Sequence, residues 1–327
     1  MNDSAATELP PFPCARFIKE IGRGPHGARA LTSEDTHALY SAMLDGRVSD
    51  VELGAVLLAY RLKGESADEL AAMLAAAHAS FEPIRVPDRG SRAVSAVSIP
   101  SYNGARKQPN LVPLLALLLA REGVPVLVHG VTEDPGRVTS AEIFARLQVA
   151  AARTHSDIEA ALVERRVAFA PIGTLAPKLA RLLALRRVMG VRNSTHTLVK
   201  ILQPFAPPAL RLVNYTHPPY RESLTQLFVA HPDAAAGGAL LARGTEGEAV
   251  ADTRRQVQID WLHDGQCETL VMPERSSADA PTVDLPEARD AATTAAWIAD
   301  VMRGAAPVPA AIERQVEVIT GIAKKAA

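Results

Sequence analysis

The sequence predicts an α/β protein in two parts, an N-terminal helical bundle and a larger α/β domain with a mostly parallel central sheet. Two observations carry this reading. Over the first 80 residues apolar positions recur at helical spacing behind repeated helix-start signals, and from about residue 93 strand-like runs alternate with helical stretches. Strands that alternate with helices imply a parallel sheet covered on both faces. The 327 residues are enough for both parts.

In chain order, MNDSAATELPPFP reads as part of a flexible lead-in over residues 1–15, ahead of a helical domain at 16–90 and an α/β domain at 91–327. Thr32-Ser33-Glu34-Asp35 starts a helix that runs through Leu44. Ser49-Asp50-Val51-Glu52 and Ser66-Ala67-Asp68-Glu69 read as capping boxes that open VELGAVLLAYRLKG and ELAAMLAAAH. Leu53, Val56, Leu57 and Tyr60 supply an apolar face to the first of these. After the β-branched run AVSAVSI (93–99), a helix at 111–122 leads to a buried-type strand, VPVLVHG (124–130). AEIFARL (141–147) is helical and VAFAPI (167–172) is a strand. LRLVNYTH (210–217) and GGALLARG (237–244) continue the alternation around a helix near 220–230. Between 175 and 203 two helices occur with no strand between them, which lets the segment from about 174 to 203 fold back onto the bundle. PERSSADAPTVDLPEARD (273–290) reads as loop and Ala291–Met302 as helix.

Composition narrows the function classes. Charged residues are 22% and the hydrophobic set 48%, an ordinary globular balance, while aromatics at 4% argue against base stacking on an aromatic sheet. Cys14 and Cys267 form neither a disulfide framework nor a metal spacing, which fits a reducing cytoplasm. No stretch has the apolar length of about 18 residues that a membrane span needs. No cofactor and no metal are expected. The net charge of −1 hides an asymmetry. Residues 165–221 hold ten cations (Arg165, Arg166, Lys178, Arg181, Arg186, Arg187, Arg192, Lys200, Arg211 and Arg221) and no Asp or Glu, whereas the chain from 222 onward holds 16 acidic and 9 basic residues. A basic stretch inside a neutral total signals an anionic partner.

The wording of 167–204, VAFAPIGTLAPKLARLLALRRVMGVRNSTHTLVKILQP, resembles that of the anthranilate phosphoribosyltransferases, as do RLKGES (61–66) and GVPVLVHG (123–130). The resemblance covers residues 16 to about 265. It implies the nucleoside phosphorylase/phosphoribosyltransferase architecture and a homodimer through the helical domain. In that family a G-T-G-G-D turn holds the pyrophosphate of phosphoribosyl pyrophosphate, because glycines let backbone N–H groups close on phosphate oxygens. Those five positions here hold Pro100, Ser101, Tyr102, Asn103 and Gly104. Pro100 has no N–H and Tyr102 brings a ring where backbone must approach closely. Of the K-H-G-N-R motif only His129 and Gly130 remain, with Val128 in place of the lysine. Ala249 and Val250 fall on the Mg-binding Asp-Glu positions. Glu246 and Glu248 lie just before them and read as an ordinary solvated loop. Donor cradle, lysine and metal pair are all lost, which demotes the transferase reading.

The divergent wording IPSYNGARKQPNLVPLLALLL, VHGVTEDPGRV, MGVRNSTHTLVK and RGTEGE is similar to that of the YbiB-type branch, relatives of the transferase that bind DNA. This resemblance implies DNA binding by a dimer, largely without sequence preference, on a retired transferase fold, and leaves RNA open as a second nucleic-acid partner. The candidate contacts are Arg106, Lys107, Arg137, Lys178, Arg181, Arg186, Arg187, Arg192 and Lys200. Ser101, Tyr102, Asn103, Gly104, His129 and Gly130 mark the vestigial phosphate site. Arg186 also falls where the transferases use an arginine toward anthranilate. Two readings stay open beside this one. The first is an enzyme of the same fold with an altered phosphorylated sugar or nucleoside substrate, its anion site rebuilt from Asn103, Gly104, Arg106 and Lys107. The second is a non-enzymatic protein whose basic stretch meets an acidic partner.

Overall fold

The computed structural model describes residues 9–24, 26–85, 94–274 and 283–325. Four helices build the N-terminal domain: α1 (Ala15–Ile21), α2 (Ser33–Leu44), α3 (Asp50–Lys63) and α4 (Ala67–His78). Thr32 caps α2 by accepting the Asp35 N–H. At α4 the capping box forms as read: Ser66 accepts from Glu69 N and the Glu69 carboxylate answers to Ser66 N. That carboxylate is buried and also takes the Leu31 N–H and the Lys63 ammonium, at 2.9 and 2.6 Å, so it ties three segments together.

Two expectations for this domain change. Ser49 makes no capping bond to the backbone; its hydroxyl donates to Glu52, whose other oxygen accepts from Cys14 N at 2.9 Å. Glu52 is drawn to the chain ahead of α1 rather than to its own helix start. For the same reason the lead-in is shorter than residue 15. Phe12 donates its N–H to Arg47 O and stacks on Phe17 at 5.7 Å, and Cys14 is buried. Residues 1–8 of the expected lead-in lie outside the described residues, as does the expected domain boundary near 90.

A short parallel ribbon pairs β1 (Ile84–Arg85) with a later strand, apart from the seven-stranded main sheet. There β2 (Val97–Ser101), α5 (Val112–Arg121), β3 (Val126–Gly130), α6 (Ser140–Arg146), α7 (His155–Glu164) and β4 (Val167–Pro171) follow in turn. The helical insert comes next: α8 (Ile172–Leu175), α9 (Pro177–Ala184), α10 (Arg186–Met189) and α11 (Thr195–Ile201). Then come β5 (Phe205–Ala206), which pairs with β1, β6 (Leu210–Tyr215), α12 (Pro218–Ala230), β7 (Ala239–Arg243), β8 (Ile259–His263), β9 (Gln266–Val271), α13 (Ala291–Met302) and α14 (Ala310–Lys325). Residues 275–282 of the expected loop lie outside the described residues.

The seven strands run in the order β4-β3-β2-β6-β7-β8-β9, parallel through β7 and antiparallel beyond it. The β2, β3 and β6 side chains are buried on both faces of the sheet apart from Tyr215, as a doubly covered parallel sheet requires. One apolar cluster, including Val112, Leu115, Phe144, Ile298 and Ile319, fills the face under α5, α6, α13 and α14. The other runs continuously from the sheet through Leu179, Leu182 and Leu198 into the helical domain, through residues such as Tyr40 and Met73. The helical insert is the bridge: Tyr40 Oη lies 2.9 Å from Thr195 Oγ1, and Ser194 Oγ is 2.5 Å from Glu65 Oε1.

This strand order reverses direction at β2. The chain goes outward through β3 and β4, then returns to β6 and β7 on the other side. Open α/β sheets bind ligands at the carboxyl ends of strands beside such a switch point. Ser101-Tyr102-Asn103-Gly104, Thr216-His217 and Gly244–Glu248 all leave their strands at that edge.

Candidate nucleic-acid interface

The loop after β2 carries the vestigial phosphate site, and its own side chains fill it. Ser101 Oγ lies 2.7 Å from Ser140 Oγ, which also accepts from Asn110 Nδ2. Tyr102, 8% exposed, places its hydroxyl 2.7 Å from His129 Nδ1. Burial pushes His129 down to about 3, so its ring is neutral at pH 7 and the pair is a neutral hydrogen bond. Gly130 keeps its place because a Cβ there would overlap Ser101 O. Gly104 sits at φ +63, against Val138 O, where a side chain would be strained.

The two glutamates overturn the solvated-loop reading. Glu248 is 1% exposed, and its Oε1 accepts Asn103 N at 2.7 Å and Gly104 N at 2.6 Å. Glu246 Oε1 accepts Lys107 N at 2.7 Å and Gln108 N at 3.0 Å, and Arg106 N is 3.3 Å from both its oxygens. Five N–H groups of one loop therefore point at two carboxylates of another. The turn that delivers them, Thr245–Glu248, depends on Gly247 at φ +88, where a Cβ would overlap Asn103 Nδ2. Burial pushes the Glu248 carboxyl above its ordinary range. Burial also pushes Lys200 down to about 8, with the Glu248 charge opposing that change.

These contacts decide whether phosphoribosyl pyrophosphate and magnesium fit. The cradle N–H groups of Asn103 and Gly104 are taken by Glu248, and Val128 has no charge to offer. Ala249 and Val250 are buried in the apolar core beneath β7. The residues do not fit the pair. Among the described residues no group of three His, Cys, Asp or Glu side chains could hold a metal ion.

Above the filled cradle opens a groove of about 590 Å³. Arg106, Lys107, Arg137 and Arg192, four of the nine cations expected from the sequence, line it together with Arg243, Arg254 and Arg255. His217 adds an imidazole, and the acidic side chains on the wall are Glu246 and Asp252. Arg137 NH1 donates to Gly104 O at 3.1 Å and lies 3.7 Å from Glu246; Arg192 NH2 donates to Asn103 Oδ1 at 3.2 Å. Arg254 and Arg255 flank Asp252, at 3.0 and 3.4 Å. Burial, then the charges of Arg186, Arg137 and Arg61, pull Arg192 below its ordinary value. Cations held close enough to repel one another in this way favour an anion between them.

The other five expected cations stand elsewhere. Lys178 pairs with Asp45 at 2.6 Å, and Arg181 donates to Met43 O and Leu44 O, so both serve the C-terminal end of α2. Arg187 pairs on the surface with Glu133 at 3.3 Å. Lys200 is turned inward and donates to Gly247 O at 3.0 Å, behind the glutamate turn. Arg186 is exposed beside Arg192 without lining the groove. The expected basic face on α9 is thus a domain junction. Arg243, Arg254 and Arg255 went unread because they lie in an acid-rich section; the dibasic pair shortly after β7 was the available signal.

Three neutral, partly or wholly buried histidines give the fold an acid limit. His129 is pushed down to about 3 by burial, His196 to about 4 by burial and then by Arg192 and Arg186, and His78 to about 4 by burial and then by Arg211. The unfolded chain takes up these protons first as pH falls below 6.5, so stability drops between 6.5 and about 4. Glu248, with its raised value, works in the opposite direction and is outnumbered. Each histidine's contribution grows with its shift, so His129 contributes the most and continues to do so down to about pH 3. A Tm series across that range checks it, and His129→Gln should flatten the fall.

Comparison with known proteins agrees with this architecture. Residues 15–81 match the helical bundle domain of a glycosyl transferase family. Anthranilate phosphoribosyltransferase from Thermus thermophilus superposes with a TM-score of 0.70 at 22% identity, covering 95% of this chain and 88% of that one. The Saccharomyces cerevisiae enzyme in complex with PRPP and Mg gives 0.71 at 12% identity, with 95% and 89% coverage. The fold is that of the anthranilate phosphoribosyltransferases. In sequence, the uncharacterized protein YbiB of Escherichia coli K12 is 41% identical over 301 residues, 92% of this chain and 91% of its own length. This chain belongs to the YbiB family. The transferase of Rhizobium meliloti is more distant, 26% identical over 283 residues, 84% of this chain and 79% of its own length.

Proposed function

We propose that this protein binds DNA through the basic groove, without sequence preference, on a fold that no longer takes phosphoribosyl pyrophosphate. The observation that carries the reading is the convergence of seven arginine and lysine side chains on one groove of about 590 Å³, from the loops after β2 and β3, from the end of β7 and the loop after it, and from the helical insert. Each phosphate neutralised by such a side chain releases counterions whatever the base sequence. Among the described residues no Phe, Tyr or Trp lines the groove, so contacts fall on the phosphate chain rather than on stacked bases. RNA offers the same phosphates.

A homodimer belongs to the same proposal. On α3, Val51 (85% exposed), Leu58 and Leu62 (79% exposed) fall at i, i+7 and i+11, an apolar stripe facing outward from the helical domain. Two copies joined there would present two grooves to one polymer. A cytoplasmic setting, suggested by two free cysteines, is also part of the proposal; no helix among the described residues is long and apolar enough to cross a membrane.

Fluorescence titration with a mixed-sequence DNA of about 20 nucleotides tests the reading, beside thermal shifts with phosphoribosyl pyrophosphate and Mg. DNA binding that weakens steeply with salt, and no Tm change with the donor, is the expected pair. A salt-sensitive Tm gain from the donor with no DNA binding would contradict it.

A further inference from the structure

The seat occupied by Glu246 is a second feature of the groove, separate from the cradle under Glu248. The N–H groups of Arg106, Lys107 and Gln108 converge on the Glu246 carboxylate, and the Arg137 guanidinium approaches its outer oxygen at 3.7 Å. Successive N–H groups around a concavity form an anion nest. Here the nest lies in the wall of the groove, and its occupant comes from the chain itself. That occupant is held at φ +54, a backbone conformation a glutamate rarely adopts, and its side chain is only 11% exposed. The surrounding contacts must hold the strained turn in place.

A carboxylate and a phosphate oxygen pair ask for the same donors. We propose that Glu246 is an internal competitor lodged in a phosphate seat, so that the free protein holds the groove partly self-neutralised and a phosphodiester must displace it. The inference rests on the DNA-binding reading for its natural ligand, but the seat itself takes any tetrahedral oxyanion. Removing the carboxylate unmasks it. The backbone at 246 suits glycine, so Glu246→Gly removes the charge while relieving the strain.

The test is calorimetric titration of inorganic phosphate into the parent, Glu246→Gly and Glu246→Gly/Arg137→Ala, beside the same DNA titration. Phosphate affinity is expected to rise about tenfold or more in the glycine variant, a change of about 1.4 kcal/mol, and to fall back when Arg137 is also removed. DNA affinity should rise with it. A folded glycine variant that binds phosphate no better than the parent overturns the proposal. So does a gain that survives loss of Arg137, which would place the phosphate elsewhere. Should the glycine variant lose its fold, Glu246→Gln keeps the side-chain shape without the charge, and must show the same direction of change or the proposal fails. A phosphate gain with no DNA binding by any of the proteins leaves the seat standing and removes the DNA reading.

Discussion

Arg106→Glu/Arg243→Glu is expected to weaken binding of a mixed-sequence DNA about a hundredfold or more at about 50 mM salt, with no loss of Tm. Both side chains are exposed, line the groove, and hold no internal hydrogen bond or ion pair among the described residues. Each reversal removes one attraction for phosphate and adds one repulsion, and two together change the groove by four charges. The control is Lys178→Glu/Arg181→Glu, which changes the chain's net charge by the same amount. Those residues bind Asp45, Met43 O and Leu44 O at the end of α2. This variant should bind DNA within about threefold of the parent while losing stability at the domain junction, since its carbonyl partners lose a charged donor worth about 1–3 kcal/mol. Equal loss of binding in both variants would show that overall charge, not the groove, decides affinity.

The second large effect concerns the filled cradle. Glu248→Ala should lower stability by about 2–5 kcal/mol, because two buried N–H groups, at Asn103 and Gly104, lose their acceptor at about 1–3 kcal/mol each. Lys200, half-buried behind the same turn, would also lose its opposing charge. Glu248→Gln keeps an oxygen at the position of Oε1 and should lose less than half as much. Thermal melts of the three proteins check the order. An alanine variant with the parent's Tm would mean that the cradle tolerates being empty.

The elements were legible where the signal was local. Thr32, Ser66 and the run Ala291–Met302 marked helix boundaries that the structure keeps to within a residue, since capping and periodicity act over one or two turns. Local signals also existed for two features left unread. Asp264 and Gly265, both at positive φ, make the tight turn of the β8–β9 hairpin, and the amphipathic 310–325 is a helix. The site was harder for a physical reason. Whether Glu248 is a solvated loop residue or a buried anion depends on N–H groups 144 and 145 residues away. Whether Lys178 and Arg181 face solvent depends on where the end of α2 comes to rest. A count of charges along the chain placed the basic surface on the wrong helix. It missed Arg243, Arg254 and Arg255 because their neighbours in sequence are acidic, although their neighbours in space are Arg106 and Arg137.

The dependence of DNA affinity on salt tests the central claim most directly. If the seven groove cations meet phosphates, each contributes about 0.7–0.9 to the slope of log K against log salt, giving roughly −5 to −6 for the parent. Arg106→Glu/Arg243→Glu should then be shallower by about two. A slope near zero, or the same slope in both proteins, would contradict the groove as the binding surface.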